Sequence, residues 1–327
     1  MILVTGGAGF IGSNVAAALG ERGDEVAVCD RLRHGDKWRN LAKVPVRELI
    51  APEALLEWLT AQAERIDAIV HMGAISSTTE TDVDLIIAVN LRLSQTLWQW
   101  CANCGKGFIY ASSAATYGSG EQGFDDDPTP QALGRLRPLN AYGWSKQLFD
   151  RWVAEVLAEG GARPPQWAGL KFFNVYGPNE YHKGGMRSVV AQKYPLAAGG
   201  GPVTLFRSHR ADVPDGGQRR DFIYVRDCAE VVLWLLDNPQ VNGLFNLGTG
   251  KARSFEELAH ALYAALGQPP RLEYIDTPPA IRAHYQYFTE ARMARLREAG
   301  YARAFTSLEE GVREYVQRYL SQPDPYR

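Results

Sequence analysis

Met1-Ile2-Leu3-Val4-Thr5-Gly6-Gly7-Ala8-Gly9-Phe10-Ile11-Gly12 is the stretch on which the fold turns. Its first five residues read as a short buried strand, and three spaced glycines carry the chain directly from that strand into a helix. Gly6 permits the tight turn, Gly9 lets backbone approach a pyrophosphate, and Gly12 lets the helix lie close on the strand. The helix then starts with its N–H groups aimed at anionic oxygens. A glycine triplet alone is weak evidence. Here a second strand-like run, Glu25-Val26-Ala27-Val28-Cys29, ends on Asp30, an acid at the spacing where it meets an adenosine ribose. The ordinary alternative, a glycine-rich turn in another kind of α/β protein, has no need of strand, turn, helix and acid together.

Working outward, apolar runs alternate with amphipathic ones. Asp67-Ala68-Ile69-Val70-His71 is followed by a long helix from Asp82 to Ala102, then by Gly107-Phe108-Ile109-Tyr110-Ala111, a helix from Ala141 to Leu157, and a buried strand from Ala168 to Phe173. This alternation predicts an α/β fold, a doubly wound parallel sheet with helices on both faces, over residues 1–174. Beyond Asn174 glycine-rich stretches separate short strands such as Val203-Thr204-Leu205-Phe206. A smaller, interleaved α/β substrate lobe is expected from residues 175–219 and 251–327. Residues 220–250 hold two further strand-like runs, Asp221 to Val225 and Gly243 to Leu247, read as returning to the main sheet and so placing a cleft at its carboxyl edge.

Among 327 residues, 35 basic side chains face 37 acidic ones for a formal charge of -2. No basic field favours nucleic acid or a membrane surface, so small-molecule partners are expected. The chain opens on its first strand with no leader-like segment, and no apolar run is long enough to span a bilayer, which points to the cytoplasm. Of four cysteines, only Cys101 and Cys104 form a Cys-x-x-Cys pair. It stands at the end of a helix, away from the dipole that activates redox thiols, and lacks partners for zinc, so no metal is expected.

The chemistry centres on Tyr142-Gly143-Trp144-Ser145-Lys146, which puts a phenol and an amine on one helical face. A phenol is a poor base at neutral pH, but an adjacent ammonium and an oxidised nicotinamide both favour its phenolate. Ser113, in Tyr110-Ala111-Ser112-Ser113-Ala114-Ala115-Thr116-Tyr117-Gly118, stands where its hydroxyl can hydrogen-bond a substrate oxygen. Taken alone, the Tyr–Lys pair reads better as a surface aromatic packed on a lysine stem; joined to the glycine turn and the serine strand, that becomes the lesser reading.

With these motifs the chain resembles the extended short-chain dehydrogenase/reductase superfamily over nearly its whole length. Arg220-Asp221-Phe222-Ile223-Tyr224-Val225-Arg226-Asp227 and Phe245-Asn246-Leu247-Gly248-Thr249-Gly250 are similar to its later motifs. Sugar dehydratases of that superfamily carry an Asp-Glu pair where this chain has Ala114 and Ala115, and two methyl groups transfer no protons. The segment from Phe172 to Met186, which includes Asn174, Lys183 and Gly185, resembles the ADP-L-glycero-D-manno-heptose 6-epimerase family within the superfamily, as do His71 to Glu80 and Tyr285-Gln286-Tyr287-Phe288-Thr289.

The resemblance implies conversion of ADP-D-glycero-β-D-manno-heptose to ADP-L-glycero-β-D-manno-heptose at C6″, for lipopolysaccharide core synthesis, through transient oxidation to a ketone and re-reduction with bound NADP. Tyr142 and Lys183 would divide the proton transfers, with Lys146 holding tyrosine and cofactor and Ser113 holding the substrate. The lesser reading of Lys183 is a solvated loop lysine, or one that pairs with substrate phosphate rather than exchanging protons. The resemblance assigns Phe10, Ile11, Met72, Gly73, Ala74, Ile75, Ser76 and Asn90 to the cofactor together with the glycine turn. It has Asn174 and Val175 line the substrate, Val175 also against the cofactor, and puts Gly185, Gln192, Phe206, Arg220 and Tyr285 farther along the ADP-heptose. It also implies a homo-oligomer, a pentamer. Asp30 alone favours NAD, whereas Arg31, Arg33 and Lys37 favour the 2′-phosphate of NADP. Two departures stand out: Ser208 to Gln218 is longer than the family leads one to expect, and Met72 occupies a familiar glutamate position. Two other readings stay open: a UDP-hexose 4-epimerase, which would not need Lys183, and a dinucleotide-sensing protein, which would not need the complete Ser113, Tyr142 and Lys146 set.

Overall fold

Short strands buried on both faces organise the molecule, and the computed structural model describes residues 1–282 and 285–327. The strands are β1 (Ile2–Thr5), β2 (Val26–Cys29), β3 (Val46–Ile50), β4 (Ala68–His71), β5 (Gly107–Ser113) and β6 (Trp167–Phe172), then β7 (Asn174–Tyr176), β8 (Val203–Phe206), β9 (Arg219–Tyr224), β10 (Gly243–Leu247), β11 (Ala252–Ser254) and β12 (Leu272–Ile275). Seven of them form one sheet in the order β10-β6-β5-β4-β1-β2-β3, and every pairing in it is parallel. All four residues of β1, β2 and β4 are buried, which is why these strands read as continuous apolar runs rather than alternating ones.

The reversal of strand order beside β1 brings the carboxyl ends of β1 and β4 together. Thr5 lies opposite His71 there, and such a switch point is where doubly wound sheets bind ligands. The long helix foreseen after β4 forms as Val83–Ile87, a π-turn at Ala88–Arg92, and Leu93–Cys104. Asp82 caps it by accepting from Leu85 N at 2.9 Å. Cys101 is buried at the far end of that helix, where burial pushes its thiol pKa up. Among the described residues no helix is long and apolar enough to cross a membrane.

One expectation fails. β10 returns to the main sheet beside β6, but β9, which contains Asp221 to Tyr224, does not. It pairs in parallel with β7 and antiparallel with β11 in a separate three-stranded sheet. The cause is local: β10 occupies the free edge of β6 from Ala168 to Phe172, and the chain then turns at Phe173 into β7, whose own edge takes β9. β8 and β12 form a further parallel pair. An apolar cluster with Val190, Leu205, Tyr263 and Val312 fills the space beneath these small sheets.

Residues 325–327 strap two loops together. Lys43 Nζ donates to Tyr326 O at 2.7 Å and Tyr181 OH to Pro325 O at 2.8 Å. Arg327 N donates to Asn179 Oδ1 at 3.0 Å, and the Arg39 guanidinium lies 4.4 Å from the centre of the Tyr326 ring.

Candidate active site

The glycine turn has the shape its spacing predicts. Gly6 adopts φ 64° in the left-handed region, and a Cβ there would lie 2.6 Å from Gly73 Cα. At Gly12 a Cβ would come within 2.2 Å of Gly6 O, so the helix Phe10–Arg22 packs on the turn as only glycine allows. Around this cradle Met72 N donates to Thr5 O, Gly73 N to Thr5 Oγ1, and Ile75 N to Asn90 Oδ1 at 2.8 Å. Asn90, in the π-turn, also donates to Ile75 O and to Ser145 Oγ, both at 3.0 Å. That ties the strip Met72 to Ser76 to the helix carrying Tyr142. Phe10 is buried at the start of the first helix, with Ile11 half-buried beside it.

Asp30 is fully engaged. Ala8 N donates to Oδ2 at 2.9 Å, while Arg31 N and Lys37 Nζ both donate to Oδ1 at 2.6 Å. The Arg31 guanidinium itself pairs with Glu53 at 2.5 Å, so Lys37 is the cation held against Asp30. Asn40 Nδ2 donates to Ala8 O and Asn179 O at 2.9 and 3.1 Å, but its Oδ1 is buried without a partner among the described residues. A cradle closed to any Cβ, free helix N–H groups and an orphaned acceptor beside the turn fit a dinucleotide.

The helix Ala141–Ala158 begins at Asn140, whose side chain accepts from Gly143 N. This cap fixes the first turn and with it Tyr142. Burial raises the Tyr142 pKa and a hydrogen bond with Ser113 opposes the rise. Ser113 ends β5, and its Oγ also accepts from Ala115 N at 3.1 Å. Lys146 Nζ donates to Ala111 O at 2.8 Å. Burial pulls the Lys146 pKa down to about 8 against the opposing charge of Asp150. Serine, phenol and amine thus meet at the carboxyl end of β5.

Lys183 lies in a short turn of 3-10 helix, Tyr181–Met186, with Nζ 5.3 Å from the centre of the Phe10 ring. Burial lowers its pKa, and Glu180 opposes the shift. Glu180 is itself buried and anchors the turn by accepting from Ser188 and from Tyr315 OH at 3.0 Å. Val175 packs partly buried against two apolar clusters, whereas Asn174, the first residue of β7, is exposed.

The substrate-lobe residues fall into two groups. The Arg220 guanidinium is 5.5 Å from the centres of both the Tyr285 and Phe255 rings, and Phe206 packs edge-on to Tyr285. Gln192 Nε2 donates to Gly185 O at 3.1 Å, in the turn that carries Lys183. Arg220 also donates to Gln286 O, and Gln286 Nε2 donates to Gly118 O, so the segment after Tyr285 bridges the arginine to the turn following Ser113. The long stretch Ser208 to Gln218 docks on that segment, with His209 N donating to Tyr287 OH at 2.9 Å.

Sequence reading passed over Asp150 and Lys171. Both side chains are completely buried, 2.8 Å apart, Asp150 on the helix Ala141–Ala158 and Lys171 on β6. The signal was available: Lys171 is the one charge inside the apolar run Trp167 to Phe173.

The model of the NAD dependent epimerase/dehydratase family matches residues 2–248. The ADP-L-glycero-D-manno-heptose-6-epimerase of Nitratidesulfovibrio vulgaris strain Hildenborough is 50% identical over 329 residues, spanning 100% of both chains. The crystal structure of the Helicobacter pylori ADP-L-glycero-D-manno-heptose-6-epimerase superposes with a TM-score of 0.77 at 29% identity, covering 97% of this chain and 95% of that one. The UDP-glucose 4-epimerase of Thermus thermophilus, solved in complex with NAD, gives a TM-score of 0.73 at 29% identity over 95% and 96% of the two chains.

Proposed function

The chain belongs to the NAD dependent epimerase/dehydratase family, and from that premise we propose that it inverts C6″ of ADP-D-glycero-β-D-manno-heptose to give ADP-L-glycero-β-D-manno-heptose. The observation that carries this reading is the presence of two desolvated proton-transfer groups on different elements. Tyr142 sits on the catalytic helix beside Ser113, and Lys183 sits on the turn packed over Phe10. A second group able to exchange the proton on the C6″ oxygen is what this reading needs and a single-tyrosine 4-epimerase does not.

The glycine turn, Asp30, Lys37, the strip Met72 to Ser76 and Lys146 would hold the dinucleotide. When bound, it would take hydride from C6″ and give it back in the second half of the reaction, so no co-substrate is consumed. Tyr142, as phenolate, takes the C6″ hydroxyl proton while the Ser113 hydroxyl donates to the developing oxyanion. Lys146 holds positive charge beside the phenol and so favours its ionised form. Lys183, its pKa lowered by burial, exchanges the proton on the other face. Arg220 meets the diphosphate, with Phe206 and Tyr285 against it. NADP is the preferred dinucleotide: Lys37 already neutralises Asp30 at 2.6 Å, which removes the like-charge objection to a 2′-phosphate.

The test is incubation of the purified protein with ADP-D-glycero-β-D-manno-heptose and no added cofactor, following the C6″ epimers by anion-exchange chromatography and proton NMR. Interconversion is expected, with a dinucleotide bearing a 2′-phosphate released on denaturation. Tyr142→Phe and Lys183→Met should each slow it by about 10² to 10⁴ while retaining the dinucleotide. No conversion by folded protein supplied with NADP⁺ or NAD⁺ overturns the reading and favours another nucleotide sugar.

A further inference from the structure

Lys171 lies in the middle of the sheet, in β6, with a fully buried side chain. Its Nζ donates to Asp150 Oδ2 at 2.8 Å and to Thr116 Oγ1 at 2.7 Å. A buried ion pair is a poor way to gain stability, because hydrophobes of similar volume serve as well or better. Its connections say what else it does. Asp150 stands eight residues after Tyr142 and four after Lys146, on the same face of the helix. Thr116 in turn donates to Ser113 O at 2.8 Å, and Ser112 Oγ donates to Asp150 Oδ2 at 2.7 Å. Hydrogen bonds therefore run without a break from the backbone of the catalytic serine, through Lys171, to the helix of the catalytic tyrosine and lysine.

We propose that Lys171 is a positioning residue for the epimerisation: its ammonium locks the Ser113 turn to the Tyr142–Lys146 helix and cancels the Asp150 charge carried two turns along that helix from the catalytic phenol. The proposal rests on the assignment of Tyr142 as a proton-transfer group. Ser113 hydrogen-bonds the phenol and the Asp150 charge reaches it; around the Asp150–Lys171 pair stand Lys146 on the same helix, Tyr110 on β5 and Tyr117, whose ring centre is 4.9 Å from Lys171 Nζ, while His71 on β4 is kept neutral by burial. Tyr110 is also neutral, donating to Asp150 Oδ1 at 3.2 Å. Lys171 is thus the cation hydrogen-bonded to Asp150. Without it, the less fully opposed carboxylate favours the protonated form of Tyr142.

Two readouts test this. The first is the acid limb of the pH profile of kcat/KM with ADP-D-glycero-β-D-manno-heptose. In Lys171→Met the limb moves up by about one pH unit, and in Lys171→Arg it stays with the native protein. In Lys171→Met/Asp150→Asn, with both charges gone, it returns. A folded Lys171→Met protein that loses kcat with an unmoved limb overturns the proposal. If that variant does not fold, Asp150→Asn reads the same effect in the other direction, with a limb moved to lower pH, and an unmoved limb again overturns it. The second readout is amide hydrogen exchange across residues 113–117, expected to speed up at least tenfold in Lys171→Met or, failing that, in Asp150→Asn; native-like protection in the folded variant overturns the proposal. Exchange needs no substrate, so it decides the proposal even if the native protein proves inactive on the heptose, a result that would count against the proposed function alone.

Discussion

His71 shows how burial sets charge at a single position. Its Nδ1 lies 2.6 Å from Thr5 Oγ1 and its Nε2 2.9 Å from Ser94 Oγ, and burial pushes its pKa from 6.5 down to about 3. Between those values the unfolded chain binds a proton that the folded chain refuses. The stabilising contribution is therefore complete above pH 6.5 and drains away as the pH falls through that window. In His71→Gln the unfolding free energy should lose less on acidification, by up to about 1.4 kcal/mol per pH unit. Urea titrations at pH 7, 6 and 5 check this, and an unchanged slope would remove His71 from the account. At this scale, what local spacing encodes was legible: Gly6, Gly9 and Gly12 on one turn, Tyr142 and Lys146 on one helical face. Lys171 and Asp150 were not, because a strand and a helix 21 residues apart meet only after the sheet has closed.

The first helix and the glycine turn act as one element. A methyl group at Gly12 would stand 2.2 Å from Gly6 O, so the helix must lift or the turn must open. Gly12→Ala should thus fold, destabilised by about 1–3 kcal/mol, yet leave purification with its dinucleotide largely lost. Absorbance at 260 nm of the denatured supernatant checks the loss, and full retention would contradict the packing argument. The π-turn at Ala88–Arg92 had no sequence signal, because an extra residue in one turn leaves the apolar pattern almost unchanged; its effect is to carry Asn90 to both Ile75 and Ser145. β9 was legible as a strand but not in its pairing. Apolar composition marks a strand, whereas its neighbour depends on which edge another segment has already filled, here β10 on β6.

Across the whole molecule, the small sheets bring Arg220 and Phe206 against Tyr285, and the strap at residues 325–327 joins the loop of Lys37 to the turn of Lys183. Tyr326 packs edge-on to Tyr181 beneath Arg39. Tyr326→Ala should cost about 2–4 kcal/mol by the usual scale of lost aromatic packing. It should also weaken dinucleotide retention although residue 326 lies outside the glycine turn. Denaturant midpoints and cofactor content measured on one preparation check both, and a stability loss with full retention would confine the strap to a packing role. None of this was legible in the sequence, since residues 39–43, 179–181 and 325–327 share no pattern and meet only in the folded chain. The strap also bears on the order of synthesis. Residues 8–43 leave the ribosome almost three hundred residues before Tyr326, so the nascent chain carries its dinucleotide site unclamped throughout elongation. A chain that stalls before residue 325 keeps every residue of the glycine turn and still lacks the strap's contacts, so the two loops are joined only once the strap has been made.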